Sequence, residues 1–171
     1  MPRQLIYHGQ KVDLYTEPLP LPGGGTLTKE IVSHPGAAVI LPWVDADRIC
    51  MVQNYRVPIQ QTLLELPAGT LDRGEPPEVA AVRELEEETG YRPGRCRKIA
   101  QFYPSPGILT ELMHLFVAED LHTGRQQLEP GEQLKPVLIP WTDALRMALD
   151  GTIQDAKTLI GLLLWDRLRG R

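Results

Sequence analysis

The chain has very little cysteine. Its 171 residues include only Cys50 and Cys96. They are not spaced as a C-x-x-C pair, so neither a zinc site nor a disulfide framework is expected. Cys50 sits in an apolar run and reads as a small core residue. Basic charge is not in excess either. Lys and Arg total 18 against 22 Asp and Glu, a net charge of −4, which excludes the electrostatic footprint of a nucleic-acid binder. No apolar run reaches membrane-spanning length, and the N-terminus shows no basic-then-apolar signal pattern. No internal repeat is visible. These absences lead to the expectation of a protein in a reducing, cytoplasmic setting with no membrane and no nucleic-acid partner. An apolar fraction of 42% is ordinary for a globular chain, and the length fits one domain with at most a small appendage.

What the chain has in quantity is carboxylate, concentrated between Gly69 and Tyr91. Pro76 and Pro77 suit a helix start, where the first turn has no intrahelical use for its N–H groups. Glu78 falls in that first turn, where negative charge suits the helix dipole. Gly90 suits the stop. Between them Ala81, Val82 and Leu85 recur at helical spacing as a buried stripe. Glu84, Glu87 and Glu88 lie three and four residues apart, on a face that differs from the apolar one. Like charges so placed repel by roughly 0.2–0.5 kcal/mol per pair, so three together imply a compensating cation. Carboxylate oxygens prefer magnesium, manganese or calcium. The plainer reading is a solvated acidic face with Arg83 paired to Glu87. Arg83 also reaches back to Glu75, which makes a loop–helix unit with its own internal lock.

Gly69, five residues, Glu75, seven residues, Arg83-Glu84-Leu85, one residue, Glu87-Glu88, one residue, Gly90-Tyr91 resembles a complete Nudix box. Glu65-Leu66-Pro67-Ala68-Gly69 before it and Ser105-Pro106-Gly107 after it resemble the ADP-ribose pyrophosphatase branch, although Ser-Pro-Gly alone is only a rigid turn. The resemblance covers about residues 33–165 and implies a Nudix α/β/α sandwich with a mixed sheet. It implies Mg²⁺, with Mn²⁺ as a substitute, held by Glu84, Glu87, Glu88 and the carbonyl of Ala68. It implies hydrolysis of a nucleoside diphosphate derivative, foremost ADP-ribose to AMP and ribose 5-phosphate. GDP-mannose, ADP-glucose, FAD and NADH are alternative substrates. A binding module that holds ADP-ribose without cleaving it is a further alternative, but such proteins lose box glutamates and none is missing here.

The same resemblance suggests roles outside the box. Arg56, after Tyr55, is a candidate phosphate ligand through its planar fork, or else a solvated strand-end arginine. Glu65 is expected near the ribose and Glu111 near the metals, unless either is a structural partner of an arginine. Ser105 and Gly107 are candidate substrate contacts. In Glu129-Pro130-Gly131-Glu132, Glu132 fits the loop glutamate that activates water in similar enzymes, unless the loop is an ordinary exposed one. Two residues depart from the branch: Asn54 stands where Gln is frequent, and Lys135 where an acid is frequent. His34 and His114 are not expected to be catalytic, because Mg²⁺ chemistry on a diphosphate needs no histidine.

Residues 1–34 read as a small β-segment: a hairpin of Leu5–Tyr7 and Val12–Tyr15, a Pro/Gly loop over Leu19–Gly25, and a strand at Thr28–Val32. It has too few apolar residues to stand alone. The resemblance makes it a dimerisation element that swaps across a homodimer and helps form the adenosine pocket. Residues 35–171 form the Nudix domain. Its strands are expected at Ala37–Leu41, Arg48–Gln53, Leu63–Leu66, Ile99–Tyr103, Met113–Ala118 and Val137–Pro140. A helix over 143–149 capped by Thr142 follows, ended by Gly151. A last helix over Asp155–Leu168 turns Leu159, Leu162, Leu163 and Leu168 inward.

Overall fold

The computed structural model describes residues 3–170. The strands, in chain order, are β1 (Gln4–His8), β2 (Asp13–Pro20), β3 (Thr26–Ser33), β4 (Ala37–Pro42), β5 (Arg48–Arg56), β6 (Gln61–Glu65), β7 (Ala68–Thr70), β8 (Tyr91–Phe102), β9 (Met113–Thr123) and β10 (Leu134–Pro140). The helices are α1 (Pro77–Thr89), α2 (Trp141–Leu149) and α3 (Ala156–Arg169). Three sheets result, ordered β1-β2-β3, β7-β4-β9-β8 and β10-β5-β6. In the second sheet β4 and β9 pair in parallel and the other neighbours antiparallel, so that sheet is mixed.

Strand β4 explains the layering. All six of its residues are buried. Ala38 and Ile40 face a cluster with Ala80, Ala81 and Leu85 of α1, together with Phe116 and Ala118. Val39 and Leu41 face the opposite cluster, with Leu115, Val117, Ala144 of α2, and Leu162 and Trp165 of α3. A strand covered on both sides reads as an unbroken apolar run rather than an alternating one. The result is the α/β/α arrangement expected from the sequence. Cys50 is fully buried, as expected of a core residue.

Several local expectations need correction. Val82 is partly exposed, and the packed stripe of α1 is Ala80, Ala81 and Leu85. Glu84 and Glu88 are buried beside that stripe rather than opposite it. Leu163 and Leu168 are also part-exposed, and α3 packs through Thr158, Gly161, Leu162 and Trp165. Thr142 does not cap α2. That helix starts at Trp141, whose N–H donates to the Asp47 carbonyl at 2.7 Å, so the β4–β5 turn satisfies the donor instead. The proposed Leu19–Gly25 loop is shorter, because β2 continues to Pro20. Among the described residues β1 pairs with β2 as far as Thr16, and β3 pairs with β2 as far as Pro20. Strand β8 starts at Tyr91, well before Ile99, and pairs with β9 as far as Thr123. It is an edge strand, so its charged run of Arg92, Arg95, Arg97 and Lys98 is compatible with pairing.

The N-terminal sheet is fastened to the body at one end. Val32 donates to the Ile108 carbonyl at 2.8 Å and accepts from Thr110 at 3.0 Å. Along β1, Leu5, Ile6 and Tyr7 are half exposed or more.

Candidate active site

Helix α1 runs from Pro77 to Thr89 and closes on Gly90 at φ 75°, a left-handed stop. Its carboxylates meet β7, which runs alongside on the sheet edge. The approach at Gly69 is so close that a β-carbon there would sit 1.9 Å from the Glu84 carboxyl carbon. Any side chain at this position would push the Glu84 carboxylate out of its place. One residue earlier the Ala68 N–H donates to Glu88 Oε2 at 2.9 Å. The box glycine and the box glutamates are thus two sides of one packing contact.

Arg83 ties the loop to the helix in both of the ways the sequence left open. Its Nε and Nη2 bond the two oxygens of Glu75 at 2.9 and 2.8 Å. Its Nη1 bonds Glu84 Oε1 at 2.7 Å and Glu87 Oε2 at 3.0 Å. The guanidinium therefore sits between Glu84 and Glu87. Among the described residues no three acidic or histidine side chains close on a common point in this arrangement.

Electrostatics distinguishes this cluster from a solvated acidic face. Burial pushes the Glu84 carboxyl up to about 7, with the charges of Glu87 and Glu132 adding to the rise and Arg83 opposing it. Burial likewise pushes Glu88 up to about 8, opposed by the Ala68 N–H and reinforced by Glu84 and Glu132. Two buried carboxyls held so far above the ordinary range lack positive charge. Hard oxygen donors with that deficit fit a divalent cation such as Mg²⁺ or Mn²⁺.

These groups line a cleft of about 900 Å³. Ala68, Glu84, Glu87, Glu88 and Glu132 are on its walls, and so is Arg56. Glu132 is exposed, on the turn before β10, where its Oε2 accepts from the Glu129 N–H at 2.9 Å. Glu65 is not on the wall. It is 1% exposed, and its oxygens take Nε and Nη2 of Arg56 at 2.8 and 2.5 Å. It meets the cleft only through that arginine. Ser105, Gly107 and Glu111 do not line the cleft either. Ser105 closes its own turn, accepting from the Ile108 and Leu109 N–H groups. Glu111 lies 3.5 Å from Nδ1 of His34, which does line the cleft.

Sequence reasoning missed part of this wall. The β1–β2 turn, His8 to Asp13, comes in from the N-terminal sheet, and Asn54 and Arg73 also contribute. His8 Nδ1 and Asp13 Oδ1 pair at 2.7 Å across that turn. The bonds of Val32 and His34 to the 108–110 segment hold the N-terminal sheet, and with it this turn, against the body.

Residues 32–160 match the NUDIX domain family model, well over half of the chain. The ADP-ribose pyrophosphatase of Bacillus subtilis (strain 168) is 41% identical over 158 residues, spanning 91% of this chain and 85% of that protein. The GDP-mannose pyrophosphatase of Cronobacter sakazakii is 38% identical over 144 residues, spanning 79% of this chain and 74% of that one. A crystal structure of an ADP compounds hydrolase superposes with a TM-score of 0.85 at 23% identity, covering 99% of this chain and 93% of that chain, which speaks to the fold.

Proposed function

This chain belongs to the Nudix family, and from that premise we propose that it hydrolyses the pyrophosphate bond of ADP-ribose to AMP and ribose 5-phosphate. The observation that carries the reading is the cleft itself. A carboxylate set short of positive charge and a guanidinium fork share one cavity. A divalent cation would supply the positive charge that the carboxylates lack, and a diphosphate carries the negative charge that such a cation and the Arg56 guanidinium both attract.

Glu84, Glu87 and Glu88, with the Ala68 carbonyl, are the residues that would hold Mg²⁺. When bound, the ion supplies charge neutralisation on the diphosphate and acidification of water. Arg83 must then give up its contacts with Glu84 and Glu87, and its bidentate pair with Glu75 keeps it nearby. Arg56 binds a phosphate oxygen and orients the substrate across the cleft. Glu132 takes the proton from the attacking water. The water oxygen forms a bond to phosphorus as the bridging P–O bond breaks, and the bridging oxygen leaves on the other phosphate.

The substrate choice is tested by rates on a panel of ADP-ribose, GDP-mannose, ADP-glucose, FAD and NADH with Mg²⁺ or Mn²⁺. ADP-ribose is expected to give the highest kcat/KM, with AMP as product. A GDP-mannose rate above it would select the second reading, which the Cronobacter relative favours.

A second copy of the chain is the partner we infer for the N-terminal sheet, because Leu5, Ile6 and Tyr7 lie exposed together on β1. Light scattering should give twice the chain mass of 19.2 kDa. A single-chain mass at micromolar concentration would remove this role from residues 1–34.

A further inference from the structure

One buried cation has no part in the steps above, although its charge opposes the rise at Glu88. Lys157, in the first turn of α3, is only 6% exposed. Its Nζ lies 2.5 Å from Glu65 Oε2 and 3.0 Å from Asp155 Oδ2. An ammonium placed so deep is costly unless its partners are well aligned. Here they are built into the helix start. Asp155 caps α3, its Oδ2 accepting from the Thr158 N–H at 3.0 Å and from the Thr158 hydroxyl at 2.6 Å. Thr158 Oγ1 in turn accepts from the Leu66 N–H at 2.8 Å. The start of α3 therefore grips two consecutive residues, Glu65 by its carboxylate and Leu66 by its backbone.

Those two residues lead directly to the cleft. Glu65 carries Arg56 on both of its oxygens. Leu66 is followed by Pro67 and Ala68, the latter bonded to Glu88. We propose that Lys157 is a positioning residue: by sharing Glu65 it fixes the fork of Arg56 and leaves that guanidinium enough positive charge for a phosphate. This rests on the reading of Arg56 as a phosphate ligand. Two physical effects point the same way. With Lys157 absent, the Glu65 charge falls wholly on Arg56 and weakens its pull on an incoming anion. Glu65 also loses one of the two cations that hold it in place. An arginine that binds substrate and transition state alike affects KM rather than kcat.

The test is Lys157→Met, which keeps the hydrocarbon stem and removes the charge. Lys157→Gln serves if the methionine variant does not fold, and Lys157→Arg is the charge-retaining control. The first readout is the Arg56 Nε–H resonance in nucleotide-free protein, assigned by its loss in Arg56→Gln. It is expected to shift or broaden in Lys157→Met and to stay near its native position in Lys157→Arg. The second readout is KM for whichever panel nucleotide is cleaved fastest. KM should rise about tenfold with kcat within about twofold, a coupling of the size seen for contacting charged groups. In an Arg56→Gln background the same substitution should change KM by less than about twofold. An unmoved Arg56 resonance overturns the proposal, and so does an equal KM effect in both backgrounds, which is what simple loss of stability would give. If no panel nucleotide is cleaved, the functional reading fails, and the resonance still decides the role of Lys157.

Discussion

Glu88→Gln is expected to lower kcat by roughly 10²–10³-fold and to leave KM within a few-fold of native, because the lost interaction acts on charge that develops in the transition state. The substitution is nearly isosteric, and a glutamine oxygen can still accept the Ala68 N–H now taken by Glu88 Oε2. The fold should survive, and the metal-free protein should gain stability at alkaline pH. Glu88 titrates at about 8 in the native state against an ordinary 4.5. For a carboxyl whose native pKa is raised, its stabilising contribution is fully present below pH 4.5 and is lost as pH rises toward 8. Glu84, raised to about 7, acts in the same direction. Wild-type protein in chelator should therefore melt at a lower temperature at pH 8.5 than at pH 6, and Mg²⁺ should raise its Tm most at the higher pH. Glu88→Gln should show a smaller alkaline loss and a smaller Mg²⁺ response. A variant that kept native turnover, or a KM increase at unchanged kcat, would contradict the metal role of this residue. So would an undiminished Mg²⁺ shift in Tm.

That combination, a variant with poorer turnover and better metal-free stability, follows from where α1 places its acids. The helix is legible in sequence because its signals are local. Pro77 opens it, Gly90 closes it, and the box spacing sets Glu84, Glu87 and Glu88 within one turn of each other. Sequence spacing does not tell how far a helix is rotated on its sheet. Val82 and Ala81 are equally apolar by pattern, yet β4 covers Ala81 and leaves Val82 partly in solvent. The same rotation buries Glu88 beside the apolar stripe, and that burial raises its pKa. The two-sided burial of β4 is legible because its run is short and unbroken, whereas the full length of β8 is not. Arg92 to Lys98 look like loop until β9 supplies the partner strand. The contacts least visible in sequence are those of widest separation. Lys157 and Glu65 lie 92 residues apart, and neither carries a local mark of the pair. Arg56 and the box glutamates can each be picked out separately, but their facing positions across one cavity depend on β5, β7 and α1 packing together.

Glu132→Gln is the variant that should separate proton removal from metal holding. Glu132 is exposed on the turn before β10, and its Oε2 bonds only the Glu129 N–H within its own turn. An amide oxygen can accept the same bond, so the turn should hold, and Tm in chelator at alkaline pH should not fall, because the Glu132 charge that repels Glu84 and Glu88 is removed. The metal set on α1 and β7 is untouched, so the Mg²⁺ shift in Tm should also stay native. Turnover should nevertheless fall by about 10²–10⁴-fold, the range for loss of a positioned general base. The pH profile carries the sharper signature. A carboxylate that must be ionised to accept the proton gives kcat an acidic limb, and the variant should lose that limb while keeping any alkaline one. Glu129→Gln is the matched control, because Glu129 lines the same cleft from the same turn. If Glu129 rather than Glu132 carried the loss, the base would lie three residues earlier in this loop. Near-native turnover in both variants would move proton removal to an acid on the box helix. Such an acid must also be ionised to accept the proton, so the acidic limb would then persist in both loop variants.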